Sequence, residues 1–162
     1  MPDRKLTFRK ARPSDAEALA AASERAFHSD VHCGAPPGPP GGPPGYNSAA
    51  WQARIMRIGE YYSILADGQI VGGVIVFRKG TREYELGRIF VDPEFQNQGI
   101  GTQAFEFLWQ CYPLAKRWTL GTPKWNRRTR HFYAKVGFTE IGEDGHDGVL
   151  FERRIAAARP PC

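Results

Sequence analysis

The stretch FVDPEFQNQGIGT, residues 90–102, constrains this chain more than any other. It closes the apolar run EYELGRIFV (83–91), which reads as a strand, and passes through a proline-marked turn. A helix follows from about Gly99 to Tyr112, with Ile100, Ala104, Phe107, Leu108 and Cys111 spaced to face inward. A strand feeding a helix through a glycine-rich turn exposes the helix's first unpaired N–H groups, and the dipole adds partial positive charge there. Gly99 and Gly101 carry no Cβ, so a phosphate can approach the backbone of Gln98 to Thr102 closely. The alternative is structural: Gly99 as a turn residue and Gly101 as a close-packing position in the helix.

The rest of the chain gives the order β-α-α-β-β-β-α-β-α-β-β. KLTFRKA (5–11) alternates as a strand, and Ser14 and Asp15 are placed to cap a helix to about residue 28 that buries Leu19, Ala22, Ala26 and Phe27. Residues 33–46, CGAPPGPPGGPPGY, have glycines and prolines at irregular spacing, which excludes collagen and predicts a loop. WQARIMRIGE (51–60) predicts a helix with Trp51, Ile55 and Ile58 on one face, ended by Gly59. YYSILAD and QIVGGVIVFRK flank Asp67-Gly68, a strong hairpin signal. RWTLGT is a strand, NRRTRHFYAKV (126–136) a helix stopped by Gly137, and FTEIGE and GVLFERR are strands around the turn DGHDG.

With 162 residues, 41% of them hydrophobic, and no internal repeat, residues 1–162 are expected to form a single domain. The longest apolar runs are far shorter than a membrane span, and MPDRKLTFRK lacks the apolar stretch of a secretory signal, so a cytoplasmic protein without membrane contact is expected. Cys33, Cys111 and Cys162 are widely separated and lack zinc spacing, which predicts free thiols and no metal. The net charge of +5 is modest and partly local to RRTR (127–130), so an anionic small ligand accounts for it as well as nucleic acid does.

Two separated motifs carry a resemblance. VDPEFQNQGIG matches Gln/Arg-x-x-Gly-x-Gly/Ala through Gln96, Gly99 and Gly101, and WNRRTRHFYAKVGF (125–138) matches a second pattern through Asn126, Tyr133, Lys135, Gly137 and Phe138. In this order they resemble the GNAT superfamily of acetyl-CoA-dependent N-acetyltransferases, and ARPSDAEAL resembles a common start of that family. A Rossmann fingerprint would want a third glycine where Ala104 stands, and the preceding hairpin argues against it. The resemblance implies an α/β (α+β) fold: a mixed, mostly antiparallel sheet of six to seven strands, splayed at the cofactor site and flanked by about four helices. It implies acetyl-CoA as co-substrate, with the pyrophosphate at Gln98 to Thr102 and the pantetheine arm beside Ile89-Phe90-Val91, where a backbone N–H near Phe90 or Val91 polarises the thioester carbonyl. The implied cofactor-binding set is Phe90, Val91, Gln96, Asn97, Gln98, Gly99, Ile100, Gly101, Thr102 and Asn126.

A free alkylamine, with a pKa near 10, is protonated at neutral pH, so its attack on a thioester needs a proton acceptor. Glu85 occupies a position where some family members keep a catalytic glutamate acting through water. Glu83 shares its strand face, and Gly87 stands where other members carry a carboxylate. Tyr133 is the implied acid for the departing thiolate; a core aromatic is its alternative. Asn126 is a pantetheine contact, a helix N-cap, or both. Arg127, Arg128 and Arg130 either meet CoA phosphates or form a solvated face; His131 reads as a surface residue, and His28 and His32, near the Pro/Gly loop, either reach an acceptor pocket or are solvated. Cys111 reads as core. The Pro/Gly loop joins two helices bordering the acceptor site in the family, which suggests a specificity lid, with Trp51, Tyr61, Tyr62 and Trp125 available for an aromatic wall. The expected activity is transfer of an acetyl group to a primary amine of a small molecule or a protein. A non-catalytic acyl-CoA-binding module is the alternative, and family members often form homodimers.

Overall fold

Asp67 and Gly68 take the left-handed turn that a two-residue hairpin demands, with φ of 51° and 84°. They join β2 (Glu60–Ala66) to β3 (Gln69–Gly80) in a computed structural model that describes residues 4–155; Cys162 lies outside them. The other strands are β1 (Leu6–Lys10), β4 (Glu83–Val91), β5 (Arg117–Pro123), β6 (Thr139–Glu143) and β7 (Gly148–Arg154). The helices are α1 (Ala16–His28), α2 (Ala49–Ile58), α3 (Ile100–Cys111) and α4 (Arg127–Lys135). All seven strands join one sheet in the order β1-β2-β3-β4-β5-β7-β6, antiparallel throughout except for the parallel pair β4–β5.

The sheet separates two apolar layers. One gathers Val74, Val76, Leu86, Ala104, Phe105, Leu108, Trp118 and Tyr133 with α3 and α4; the other gathers Leu19, Ala22, Ile55, Tyr61, Ile75 and Phe90 with α1 and α2. Leu86 and Phe90 are four residues apart on β4 and would share a face in a regular strand. They lie in opposite layers because the ladder to β3 slips between Ile75 and Val76, which pair with Arg88 and Leu86 and leave Gly87 as the extra residue. A Cβ at Gly87 would sit 2.5 Å from the Phe77 ring, so that ring occupies the space a side chain would need.

Several sequence expectations are corrected. Ser14 and Asp15 do not cap α1 through their side chains: Pro13–Asp15 forms a 3₁₀ turn, and the Asp15 carboxylate instead accepts from Arg9 at 2.7 Å and Ser63 at 3.0 Å. A buried carboxylate is satisfied better by a cation than by one N–H. Ile58, the last residue of α2, is 68% exposed, while Gln52 takes the inner face by accepting a hydrogen bond from Tyr61 Oη at 2.5 Å. Cys111 is exposed rather than core, and Phe105 is a buried residue of α3 that the periodic reading left out.

Candidate active site

Pairing of β4 with β5 begins at Glu83↔Arg117 and ends at Glu85↔Thr119, although both strands continue. Beyond that point they diverge, and the gap opens into two adjoining cavities. The first, of about 560 Å³, lies between Leu86–Ile89 of β4 and Gly121–Pro123 of β5, and residues 35–43 of the Pro/Gly loop wall its outer side. The second, of about 460 Å³, follows the end of β4 to the start of α3 and is closed by α4.

The second cavity is lined by Phe90, Val91, Gln96, Asn97, Gly99, Ile100, Gly101 and Thr102, eight of the ten positions implied for the cofactor. Gln98 is not in its wall and donates to the Glu94 carbonyl at 3.2 Å; Asn126 lines the first cavity instead. Gly99 has φ +79°, an N-cap conformation that glycine adopts freely, and a Cβ there would meet no protein atom within 4 Å. Gly101 differs, since a Cβ there would lie 2.8 Å from Phe132 Cζ. The first glycine sets the turn beneath open space and the second lets α3 meet α4. The unpaired N–H groups that open α3, with Arg128, His131 and Lys135 in the same wall, suit an anionic ligand.

Backbone direction along β4 decides which amides face the gap. Asp92 N–H donates to the Val71 carbonyl of β3 at 2.7 Å, whereas the Val91 carbonyl accepts from Gln96 Nε2 at 2.9 Å on the other side. By the alternation of an antiparallel ladder, Ile89 and Val91 present their amides to the splayed edge and Phe90 presents its amide to β3. Gln96 also accepts from Arg128 Nη1 at 2.9 Å, and the same guanidinium donates to Ser29 Oγ at 3.2 Å and pairs with Asp30.

Tyr133 lines both cavities, and its ring packs against Phe105, Phe132, Phe138 and Phe151. Tyr133 is therefore both a core aromatic and a wall residue of the two cavities. Burial, with the charge of Asp30, holds its hydroxyl well above the ordinary phenol value, so it keeps its proton at neutral pH. Asn126 is buried and its Oδ1 accepts from Thr129 N–H at 3.1 Å, which makes it the N-cap of α4. Glu85 lies outside both walls, with Lys79 Nζ 3.7 Å from its carboxylate. Of the four aromatics considered for a substrate wall, Trp125 lines the first cavity; Tyr61 is buried in the α1–α2 layer and Tyr62 bonds Tyr112 Oη at 2.8 Å. Trp51 instead stacks under Arg88, whose Cζ lies 4.0 Å from the ring centroid.

Sequence reasoning read Phe27 as a core residue of α1 and passed over Asp30, Thr122 and Thr129; all four are in the first cavity's wall. No local pattern marks them, because they meet only when α1, β5 and α4 converge.

A family model for the acetyltransferase (GNAT) domain matches residues 57–140, so the chain belongs to this family, a class of acyltransferases. An uncharacterised Bacillus subtilis protein, YrkN, is 38% identical over 79 residues, which is 48% of this chain and 43% of that protein; the match thus spans less than half of the curated relative. Among solved structures, the PaiA N-acetyltransferase of Thermoplasma acidophilum in complex with coenzyme A superposes with a TM-score of 0.78 at 16% identity, covering 93% of this chain and 99% of that one. The ribosomal-protein-S18-alanine N-acetyltransferase of Escherichia coli gives 0.71 at 20% identity, covering 96% and 97%. At these identities the likeness establishes the fold. Among the described residues no helix is long and apolar enough to cross a membrane.

Proposed function

We propose that this protein transfers an acetyl group from acetyl-CoA to a primary amine of a small molecule or a protein, by direct attack of the amine. One observation carries the reading: β4 and β5 part after Glu85 and Thr119 to open two cavities that share Tyr133. An amine in one cavity thereby meets an acyl donor in the other.

Acetyl-CoA, when bound, supplies an acyl carbonyl open to attack and a thiolate that can leave. The first-turn amides of α3, around Gly99 to Thr102, would hold its pyrophosphate, with Arg128 and Lys135 adding charge. Val91 N–H, directed into the gap, would donate to the acyl oxygen as negative charge develops there. Tyr133 would give its hydroxyl proton to the departing sulfur; its raised pKa keeps that proton in place until then. Asn126 would act at one remove, by capping α4 and so fixing Tyr133 about two helical turns along it. Glu85, outside the walls, would reach the amine only through water.

The test is thiol release from acetyl-CoA across a panel of primary amines, paired with calorimetry. Turnover with at least one amine is expected. Binding without turnover across small amines and amino-terminal peptides would leave a non-catalytic acyl-CoA-binding module, and no binding at millimolar acetyl-CoA would remove the cofactor assignment as well.

A further inference from the structure

Five residues line both cavities: Phe27, Asp30, Ile89, Thr129 and Tyr133. Asp30 is the one acid in either wall among the described residues, and its side chain is 13% exposed. It belongs to the 3₁₀ turn Ser29–Cys33, which carries the chain from α1 into the Pro/Gly loop. The amine proton needs a receiver at this junction, and Glu85 is not there.

We propose that Asp30 receives the acceptor's ammonium group and takes its proton, making the amine nucleophilic where the two cavities meet. This rests on the acetyltransferase reading above. The groups facing Asp30 come from α4 and its cap. Arg128 pairs with it, Tyr133 lies close enough to sense its charge, and Asn126 offers an amide. Arg128 favours the charged form of the carboxylate, yet Asp30 still lines both cavities, so a second cation can approach it. Burial raises the Asp30 carboxyl above its ordinary value despite the opposing charge and hydrogen bond of Arg128 and the amide of Asn126. A carboxylate in that environment is a stronger base than a free aspartate.

The protons balance. Asp30 takes one N–H proton from the ammonium. The freed lone pair forms the new C–N bond as the C–S bond breaks. Tyr133 gives its proton to the sulfur and regains one from the nitrogen, and Asp30 then returns its proton to solvent. Per turnover, one ammonium and one thioester give one amide, one thiol and one released proton.

The experiment compares wild type, Asp30→Asn and Asp30→Glu over pH 6 to 10 with the best acceptor from the panel. Acetyl-CoA affinity is measured by calorimetry, and the Asp30 carboxyl carbon is followed by NMR with and without n-butylammonium. Asp30→Asn should bind acetyl-CoA within about threefold of wild type while kcat/KM falls about 10²-fold at pH 7, and the deficit should shrink toward pH 10 as the amine loses its own proton. Asp30→Glu should recover part of the activity with the same pH shape. The carboxyl resonance should titrate above the ordinary aspartate value and move when n-butylammonium is added.

A wild-type pH profile in Asp30→Asn overturns the proposal. So does a loss that is uniform with pH or confined to acetyl-CoA affinity, since Asp30 would then serve only to anchor Arg128. A pH-dependent loss in Glu85→Gln but not in Asp30→Asn also overturns it. If Asp30→Asn does not fold, the wild-type resonance decides: a carboxyl titrating at or below the ordinary value, or unmoved by n-butylammonium, ends the assignment. Should wild type bind acetyl-CoA and acetylate nothing, the transfer reading itself fails, and the same resonance still judges whether Asp30 receives an ammonium.

Discussion

The two cavities that meet at Tyr133 are built from different materials. The one proposed for acetyl-CoA is made by the end of β4, the first turn of α3, the tight turn that joins them and one face of α4, and regular elements fix most of its geometry. The one proposed for the acceptor has β4 and β5 on its inner side, but its outer wall is the irregular segment 35–43. A regular wall presents the same amides whatever its surface side chains are. A loop wall changes shape with its sequence while the sheet beneath it stays put. The contrast predicts that changes to the first wall alter binding and chemistry for every acceptor, and changes to the second alter which acceptor is used.

The largest effect should come from Gly101→Val. The added carbons meet Phe132, where even a Cβ lies at 2.8 Å, so the fold should lose about 1–3 kcal/mol. Acetyl-CoA affinity should fall more than about 10²-fold, because pushing Phe132 and α4 away from α3 reshapes the wall around the first-turn amides. Gly99→Ala separates the two contributions. Its Cβ meets nothing, and only the φ of +79° opposes it, at a cost of about 1 kcal/mol. Thermal melts and calorimetry on both variants check this; a folded Gly101→Val protein with normal affinity would move the phosphate site elsewhere.

Next is Tyr133→Phe, which removes one hydroxyl from a ring that four aromatic neighbours hold in place. Folding and acetyl-CoA binding should persist while kcat falls about 10²-fold, the scale of a lost general acid. Steady-state kinetics with the best acceptor decides it, and full activity would return Tyr133 to the core alone.

These three variants touch the part of the site that was legible in the sequence. Gln96, Gly99 and Gly101 fall on a strand-turn-helix whose backbone conformation requires particular residues at particular spacings, so the pattern survives in one dimension. Tyr133 falls at a fixed distance from the cap Asn126. The sheet was legible for a similar reason, since β-branched runs and Asp67-Gly68 specify strands and a hairpin locally. The position of Glu85 relative to the cavities was not, because the shift of pairing at Gly87 and the splay after Thr119 are settled between strands. Asp30 was invisible for the same reason: nothing beside it in the chain says that Arg128 and Tyr133 will face it.

A change that leaves both cavities intact gives the comparison its control. Asp15 fastens the start of α1 to β1 and β2 through Arg9, with further bonds from Arg12 N–H and Ser63, and these hold its carboxyl at about 2 against an ordinary 3.8 despite burial. Because the folded value lies below the unfolded one, the stabilisation is complete above the ordinary value and is lost as pH falls through the folded one. It is worth on the order of 2 kcal/mol, a factor of roughly thirty in the folding equilibrium. Asp15→Asn should therefore lower Tm at pH 7 and flatten its fall between pH 4 and pH 2, without favouring either ligand over the other. A variant that kept the wild-type acid limb would show that another carboxylate controls it.

The smallest effect, and the one that bears most directly on the contrast, is shortening the Pro/Gly loop. Its C-terminal end is pinned: Gln52 donates to the carbonyls of Gly45 and Tyr46 at 3.2 and 3.3 Å, and Arg88 donates to that of Pro44 at 2.5 Å. Replacing residues 36–42 by three or four serines would keep those ties and remove most of the outer wall. Because the segment contributes nothing to the cavity that holds Gly99 to Thr102, acetyl-CoA affinity should stay within about twofold, while discrimination between large and small amines should change by about tenfold, the scale set by a few apolar contacts. Competition between two acceptors of different size, read as a ratio of kcat/KM values, isolates the loop from any general loss of activity. Equal losses for both acceptors and for acetyl-CoA would mean that the loop supports the whole site, and the division between a fixed wall and a variable one would not hold.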